Sequence, residues 1–457
     1  MFKVFTSKAK SFLQDTRGNV AMIFALSATA LTTAVGGGLD YSRSAGIGTE
    51  LQAALDSGVL AAASLTQTRS AEEVVRAYVE AALGDHAGVL ESLTLTVNSD
   101  TSLNSREIGA EASVQVPTTL LGVAGIDHIT VRRETQAVER ARNIEISLVL
   151  DISSSMSGAK IDNLREAAID FVDTMLTVDS ADATSFSVIP YGGTVRLPDS
   201  FFRFVTDEDE HELSGFDWEV EVPGSASDWN GCLEMTRTQA GAISLTNGDH
   251  GVIPGFTVWN KKNGWCPNKA GTEAVFLTND QSELNALISQ FDNPILSDGT
   301  GTDIGTGWGV RALDPSWQGG LGGDSDFSDR PAAFDDEDTL KVLVVMTDGG
   351  ITSQRRPDDE FEPLEDLSTL THVGTKGTDN LYSRNQARDV FDGLCDHAKD
   401  NNVVVYTIAF QVGSGWKQDD MSACATSPAQ FYNVEDLDIA SAFSAIAADL
   451  SQLRLSR

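Results

Sequence analysis

Basic side chains are scarce: 32 Lys+Arg stand against 67 Asp+Glu in 457 residues, a formal net charge of -35. A field of that sign repels a polyanion and excludes nucleic-acid binding by phosphate neutralisation. Cysteine is rare too. The four present, Cys232, Cys266, Cys395 and Cys424, form no C-x-x-C pair, which argues against zinc and against a dithiol redox motif. The sequence has no G-x-x-x-x-G-K-[ST] loop to cradle a nucleotide, and its six histidines join no credible Ser-His-Asp set. What remains, at 41% hydrophobic and 22% charged residues, is a folding chain long enough for two or three domains.

The charge is unevenly spread. The first 39 residues hold Lys3, Lys8, Lys10 and Arg17 against Asp15 and sum to +3, leaving -38 on the remainder. The sign changes across residues 20–39, VAMIFALSATALTTAVGGGL, which carry no ionisable side chain. Twenty helical residues at about 1.5 Å each cover about 30 Å, the hydrocarbon thickness of a bilayer. This predicts a transmembrane helix, with residues 1–19 as a basic cytoplasmic tail and the body exported. Ala28-Thr29-Ala30 has the small-x-small form of a signal-peptidase site, but the apolar run continues past it, which favours a retained anchor. Gly36-Gly37-Gly38 reads either as a close-approach surface for another helix or as a softened helix end.

Leu51, Leu55, Val59 and Ala62 recur at helical spacing, so a helical stem is expected over 40–66. The runs RGNVAMIFALSATAL, GLDYSRS and LQAALDSGVLAAAS resemble the N-terminal segment of TadE/TadG-like proteins of bacterial Tad (Flp) pilus assembly. Pilin-like members carry Glu five residues after a Gly, the mark of a prepilin-peptidase substrate. Here Gly18 is followed at that distance by Ile23. The resemblance therefore implies the permanently anchored TadG branch, in the bacterial inner membrane with a periplasmic or extracellular body.

Residues 67–142 predict a small α+β module: a helix in AEEVVRAYVEAAL and strands in SLTLTV, EASVQV and ITVRRETQAV. It has no cysteine, no paired carboxylates and only His86 and His128, so it reads as a spacer or oligomerisation module without chemistry.

From Asn143 the pattern changes. IEISLVLDISSSMSG is a buried strand that stops at Asp151 in a serine-rich loop, followed by the amphipathic KIDNLREAAIDFVDTML. A carboxylate with Ser153 and Ser155, all on one side of an extended loop, offers only oxygen, which suits Mg2+ or Ca2+. These residues match the D-x-S-x-S motif of von Willebrand factor A domains, the first segment of their metal-ion-dependent adhesion site (MIDAS). The family's other two loops have counterparts in order. Thr302 lies in GTGTDIGTGWGVRAL, preferred to Thr300 because Asp303-Ile304 follows it, and Asp348 ends the buried strand LKVLVVMTDGG. The resemblance implies Ser153, Ser155 and Thr302 as direct or near-direct ligands, Asp151 and Asp348 acting partly through water, and an open position that takes a partner's carboxylate. It makes the site an adhesive contact and the protein no enzyme.

Strands alternating with helices over 143–457 predict a doubly wound α/β domain with a parallel sheet and its ligand edge at the strand carboxyl ends. The terminal Leu453-Arg454-Leu455 and VYTIAF also resemble TadG-like carboxyl termini. A large insertion at about 197–275 holds Trp218, Trp229, Trp259 and Trp265 and reads as a lid or subdomain beside the metal edge. Acidic loops are expected at about 316–338 and 352–380. Asp324, Asp326 and Asp329 lack a full calcium-loop spacing and read as solvated charge. An exported segment with an even cysteine count predicts disulfides, and sequence order favours Cys232 with Cys266 and Cys395 with Cys424, one of three pairings.

The expected function is membrane-anchored Tad/Flp pilus assembly through metal-dependent contacts with other assembly proteins or pilins, with no nucleotide or nucleic acid. The alternatives are a surface adhesin working without a pilus and a chelatase-type subunit serving an ATPase. The latter lacks access to cytoplasmic ATP.

Overall fold

The computed structural model describes residues 19–64, 67–102, 105–140, 142–177, 180–207, 210–212, 219–259, 262–267, 271–292, 296–322, 327–358 and 370–455. The basic tail up to Gly18, Trp218, Asp324, Asp326 and the acidic 359–366 lie outside the described residues. The chain forms two compact units, residues 1–140 and 141–457.

In the first unit a single helix, α1 (Asn19–Ala63), runs uninterrupted through the three glycines. Its two halves differ in surroundings. Ile23, Phe24, Leu26, Leu31 and Val35 are each more than 60% exposed, whereas Ile47, Leu51, Leu55, Val59 and Ala62 are buried. The buried residues follow the three-to-four spacing that puts them on one stripe. That stripe meets α2 (Ala71–Leu83), whose Ser70 cap accepts from the Glu73 N–H at 3.3 Å and whose first turn carries Glu72 and Glu73. Both helices share a core with an antiparallel meander, β1 (Thr94–Ser102), β2 (Ser105–Pro117) and β3 (His128–Arg140). Ile108, Ala110, Ala112, Val114 and Val116 alternate along β2 into that core.

The second unit is built on a six-stranded sheet. Its strands are β4 (Asn143–Asp151), β5 (Thr184–Tyr191), β6 (Val275–Thr278), β7 (Thr339–Thr347), β10 (Val404–Phe410) and β11 (Phe431–Val434). They lie in the order β11-β10-β7-β4-β5-β6, and five are mutually parallel. β6 is antiparallel to β5, so the expected parallel sheet is a mixed one. The chain reaches β6 from the insertion and not from a crossover helix, and nothing there imposes parallel pairing.

The two-residue period splits the strands between two cores. Ile144, Ile146, Leu148 and Leu150 face one core with α3 (Ala159–Met175) and α8 (Ile439–Leu455). Val149, Leu343 and Val345 face the other with α5 (Thr302–Arg311) and α6 (Arg384–Asp400). On the first side Phe171 lies 5.5 Å from Phe443, ring to ring, and full burial of such a side chain contributes about 2 to 3 kcal/mol. The buried polar pair Glu145 and Lys341, 2.5 Å apart, is fully bonded, with Lys341 also donating to the Leu313 carbonyl and Glu145 accepting from the Ala332 N–H.

Two expected acidic loops carry more structure than charge alone indicates. Within 352–380, β8 (Gln354–Pro357) pairs antiparallel with β9 (Thr378–Tyr382). Within 316–338, Trp317 and Phe327 are buried, and Arg330 lies over the Phe327 ring and donates to Ser185. The described apolar residues of these segments anchor them to the core, a signal that the acidic composition hides.

Candidate metal centre

Strand ends β4, β5 and β7 bring the functional loops to one edge of the sheet. Asp151 is the last residue of β4 and is wholly buried. Its Oδ1 accepts from the Ser153 N–H at 2.8 Å and its Oδ2 from the Thr347 hydroxyl at 2.7 Å. The Ser153 and Ser155 hydroxyls lie 2.9 Å apart, and Ser155 donates to Asp348 Oδ1 at 2.5 Å. Asp348 Oδ2 is held by Lys160 Nζ at 2.7 Å. The first and last loops, 193 residues apart in sequence, are thus joined by hydrogen bonds between the expected site residues. Ser155 is exposed while Ser153 is 2% exposed, so the cluster opens outward on the Ser155 side.

Thr302 occupies a different place in this network. Its hydroxyl lies 3.3 Å from the Tyr191 hydroxyl, which donates to the Met346 carbonyl at 3.0 Å. It is connected to the other four through the floor of the site and not by a direct bond to them. Its loop is fixed by backbone: the Gly301 N–H donates to Gly192 O at 2.6 Å, and the Thr352 N–H to Thr300 O at 3.0 Å. A Cβ on Gly301 would come 2.3 Å from Gly193 O, and one on Gly193 would come 2.5 Å from the Trp265 ring, so both positions need glycine. Asp303 is turned inward. It accepts from Tyr382 at 2.6 Å, and burial raises its carboxyl to about 6.

The donor set fits a hard divalent cation. The converging side chains offer oxygen, and among the described residues no three His, Cys, Asp or Glu side chains group as a carboxylate or thiolate cage would require. Both carboxylates already accept from protein donors. Burial, followed by the proximity of Asp348, pushes the Asp151 carboxyl up to about 7. A divalent charge relieves that desolvated repulsion.

Three residues of this network carry no signal in the D-x-S-x-S pattern: Thr347, Tyr191 and Lys160. Lys160 lies five residues after Ser155 and enters the site because α3 begins at Ala159. The insertion flanks the same edge. Trp265 stacks on Phe256 with centroids 5.9 Å apart, Ser297 donates to Gly264 O at 2.6 Å, and Asp298 accepts from the Val258 and Trp259 N–H groups at 2.6 Å. Trp229 and Trp265 are buried, whereas Trp259 is 55% exposed.

A rim of rings and guanidinium groups lies beside the edge. Gly350, two residues past Asp348, sits against Trp416, the first residue of α7 (Trp416–Cys424). Arg384 and Arg388 lie 5.7 Å and 4.9 Å from the Trp416 ring, with Arg388 held bidentately by Asp420. Arg355 lies 5.8 Å from the Trp259 ring. Among the described residues neither Arg355 nor Arg384 forms an ion pair with a carboxylate. The disulfides are Cys232–Cys266 and Cys395–Cys424, the pairing that sequence order favours.

No protein-family model matches the chain, and no curated protein does. Several solved structures overlap it weakly. The pilus adhesin SpaC from Lactobacillus rhamnosus GG does so at 12% identity and a TM-score of 0.35, over 79% of this chain and 35% of that one. The vWF domain of the type V pili tip protein Mfa5 from Porphyromonas gingivalis gives 13% and 0.38, over 69% and 97%. The proximal thread matrix protein 1 from the mussel byssus, with a zinc-occupied MIDAS motif, gives 11% and 0.30, over 84% and 52%. This chain spans about a third of the SpaC chain. At these scores the overlaps establish no shared fold, and the reading below rests on the chain's own residues.

Proposed function

We propose that this chain is a membrane-anchored, exported protein of Tad/Flp pilus assembly whose second unit, a von Willebrand factor A-type domain, captures a carboxylate-bearing partner through a divalent cation. The observation that carries the metal-site reading is the run of bonds from Ser153 through Ser155 to Asp348, which draws three oxygen-bearing groups together at the carboxyl edge of a mostly parallel sheet. Ser153, Ser155 and Thr302 would hold Mg2+ or Ca2+, with Asp151 and Asp348 reaching it through water. The cation's contribution is an open coordination position for an anionic oxygen. Arg355 and Arg384 at the rim favour the same chemistry in the partner, since guanidinium groups with no carboxylate partner among the described residues can take one from outside; Arg355 already donates one N–H to the Thr378 hydroxyl at 2.8 Å. The pilus assignment rests on the resemblance of the N-terminal runs to TadG-like proteins.

The metal site is tested by titrating Mg2+ into the full chain in detergent by calorimetry. Asp151→Ala should bind at least about tenfold more weakly with an unchanged circular dichroism spectrum, the loss expected when a well-placed ligand shell loses a member. Equal isotherms for variant and wild type would sink the metal site. Counting pili after deletion of the gene separates assembly from a free-standing adhesin, because an adhesin mutant stays piliated.

A further inference from the structure

The loop between β2 and β3, residues 118–126 (TTLLGVAGI), holds no ionisable side chain. Val123 is 81% exposed and Ile126 48%. The loop is fixed against α1 at one height. Leu120 and Leu121 lie on Gly36 and Gly37, where a Cβ would come 2.4 Å and 3.2 Å from them. Asp40 accepts from the N–H groups of Thr119, Leu120 and Leu121 at 3.1, 2.9 and 2.8 Å.

That height is the end of the uncharged run. If α1 crosses a bilayer, Val20 to Val35 alone supplies sixteen residues, or about 24 Å, short of the roughly 30 Å hydrocarbon layer. The turn from Gly36 to Leu39 is needed to complete the span, and Leu39 is 62% exposed as a lipid-facing residue would be. The loop packed on that turn lies at the same depth. Its backbone is prepared for an apolar medium: the Gly125 and Ile126 N–H groups donate to Gly122 O and Leu121 O at 3.0 and 3.1 Å, the Thr118 N–H donates to Asp127 O at 3.0 Å, and the Thr118 hydroxyl donates to Ile126 O. Gly36 and Gly37 are therefore an adhesion surface for this loop, and Asp40 is the polar latch at its edge.

We propose that residues 118–126 form a second membrane contact, inserting Val123 and Ile126 into the acyl and headgroup boundary beside the outer end of α1. The inference rests on the reading of α1 as an anchor. Its consequence is that the first unit stands on the membrane at two points and resists tilting about a single helix.

The test places one nitroxide at a time on the full chain in phosphatidylcholine and phosphatidylglycerol vesicles, through Leu31→Cys, Val123→Cys or Thr101→Cys. Collision with oxygen and with a water-soluble nickel chelate is then read by electron paramagnetic resonance. The expected result is a lipid-like oxygen-to-nickel ratio at positions 31 and 123, roughly fivefold or more above that at position 101, as insertion by about 5 to 10 Å requires. A lipid-like position 31 with a water-like position 123 overturns the loop contact and leaves the anchor standing. Protection of position 123 from both reagents means that protein covers the loop, and also overturns the proposal. Water-like values at both positions refute the anchor itself.

Discussion

If the proposed site binds a divalent cation, that cation and the Lys160 ammonium compete for the Asp348 carboxylate, and removing the ammonium separates them. The Asp348 side chain is fully buried, Lys160 is 22% exposed, and they meet at 2.7 Å. Breaking a wholly buried pair by deleting one partner costs about 3 to 5 kcal/mol, and the partial exposure of Lys160 reduces this to about 2 kcal/mol. In chelator, Lys160→Met should therefore lower the melting temperature of the second unit by about 3 °C, at about 1.5 °C per kcal/mol for an unfolding entropy of about 2.1 cal/mol/K per residue over residues 141–457. With magnesium bound the divalent charge does the ammonium's work, and the loss should shrink below about 1 kcal/mol. Magnesium affinity should move the other way. A unit and a divalent charge held by the same carboxylate repel by an energy on the order of 1 kcal/mol even at the dielectric constant of water, so the variant should bind Mg2+ more tightly, by roughly fivefold or more. Differential scanning calorimetry with and without chelator, joined to a magnesium titration, reads both quantities. Weaker magnesium binding, or the same stability loss in chelator and in magnesium, would refute the competition and recast Lys160 as a simple brace for the Asp348 loop.

Two further outcomes follow from groups outside the cluster. Glu234 is buried 3.6 Å from Arg356, and burial outweighs that partner to raise its carboxyl from 4.5 to about 8. A raised acid binds more protons folded than unfolded, so its stabilisation is complete below about 4.5 and lost as pH rises through about 8. Urea titrations between pH 5 and 9 should show stability falling less steeply in Glu234→Gln than in the wild type, and parallel curves would contradict the shift. The Cys395–Cys424 bond closes 29 residues between α6 and α7, and the double serine variant should lose about 3.5 kcal/mol through the unfolded chain. A loss below about 1 kcal/mol in calorimetry of the oxidised proteins would show that the bond constrains little.

How far the chain was legible depends on whether a feature is written in local order or in contact. The buried strand ending at Asp151 was readable because a continuous apolar run has one structural meaning when it stops in a polar turn, and Asp348 was readable for the same reason. The stem was readable because Leu51, Leu55, Val59 and Ala62 repeat with the helix. Thr302 was chosen by the residues beside it, and nothing in that choice revealed that its hydroxyl faces Tyr191. Tyr191, Thr347 and Lys160 enter the site through strand neighbours and a helix start, which no spacing rule encodes. The antiparallel β6 escaped because direction is set by where a chain arrives from, and an insertion of irregular structure leaves no period to read.

The glycines of α1 show the limit most clearly. In sequence, Gly36-Gly37-Gly38 is equally a softened helix end or a place for another helix. The structure excludes the softened end, because the helix continues, and what approaches Gly36 and Gly37 is a loop some eighty residues later, held by the one carboxylate that closes the apolar run. A missing side chain states only that something comes close. What comes close is decided by the strand register that carries Leu120 and Leu121 to that turn, so Gly36 and Gly37 acquire a meaning only when β2 and β3 are in place.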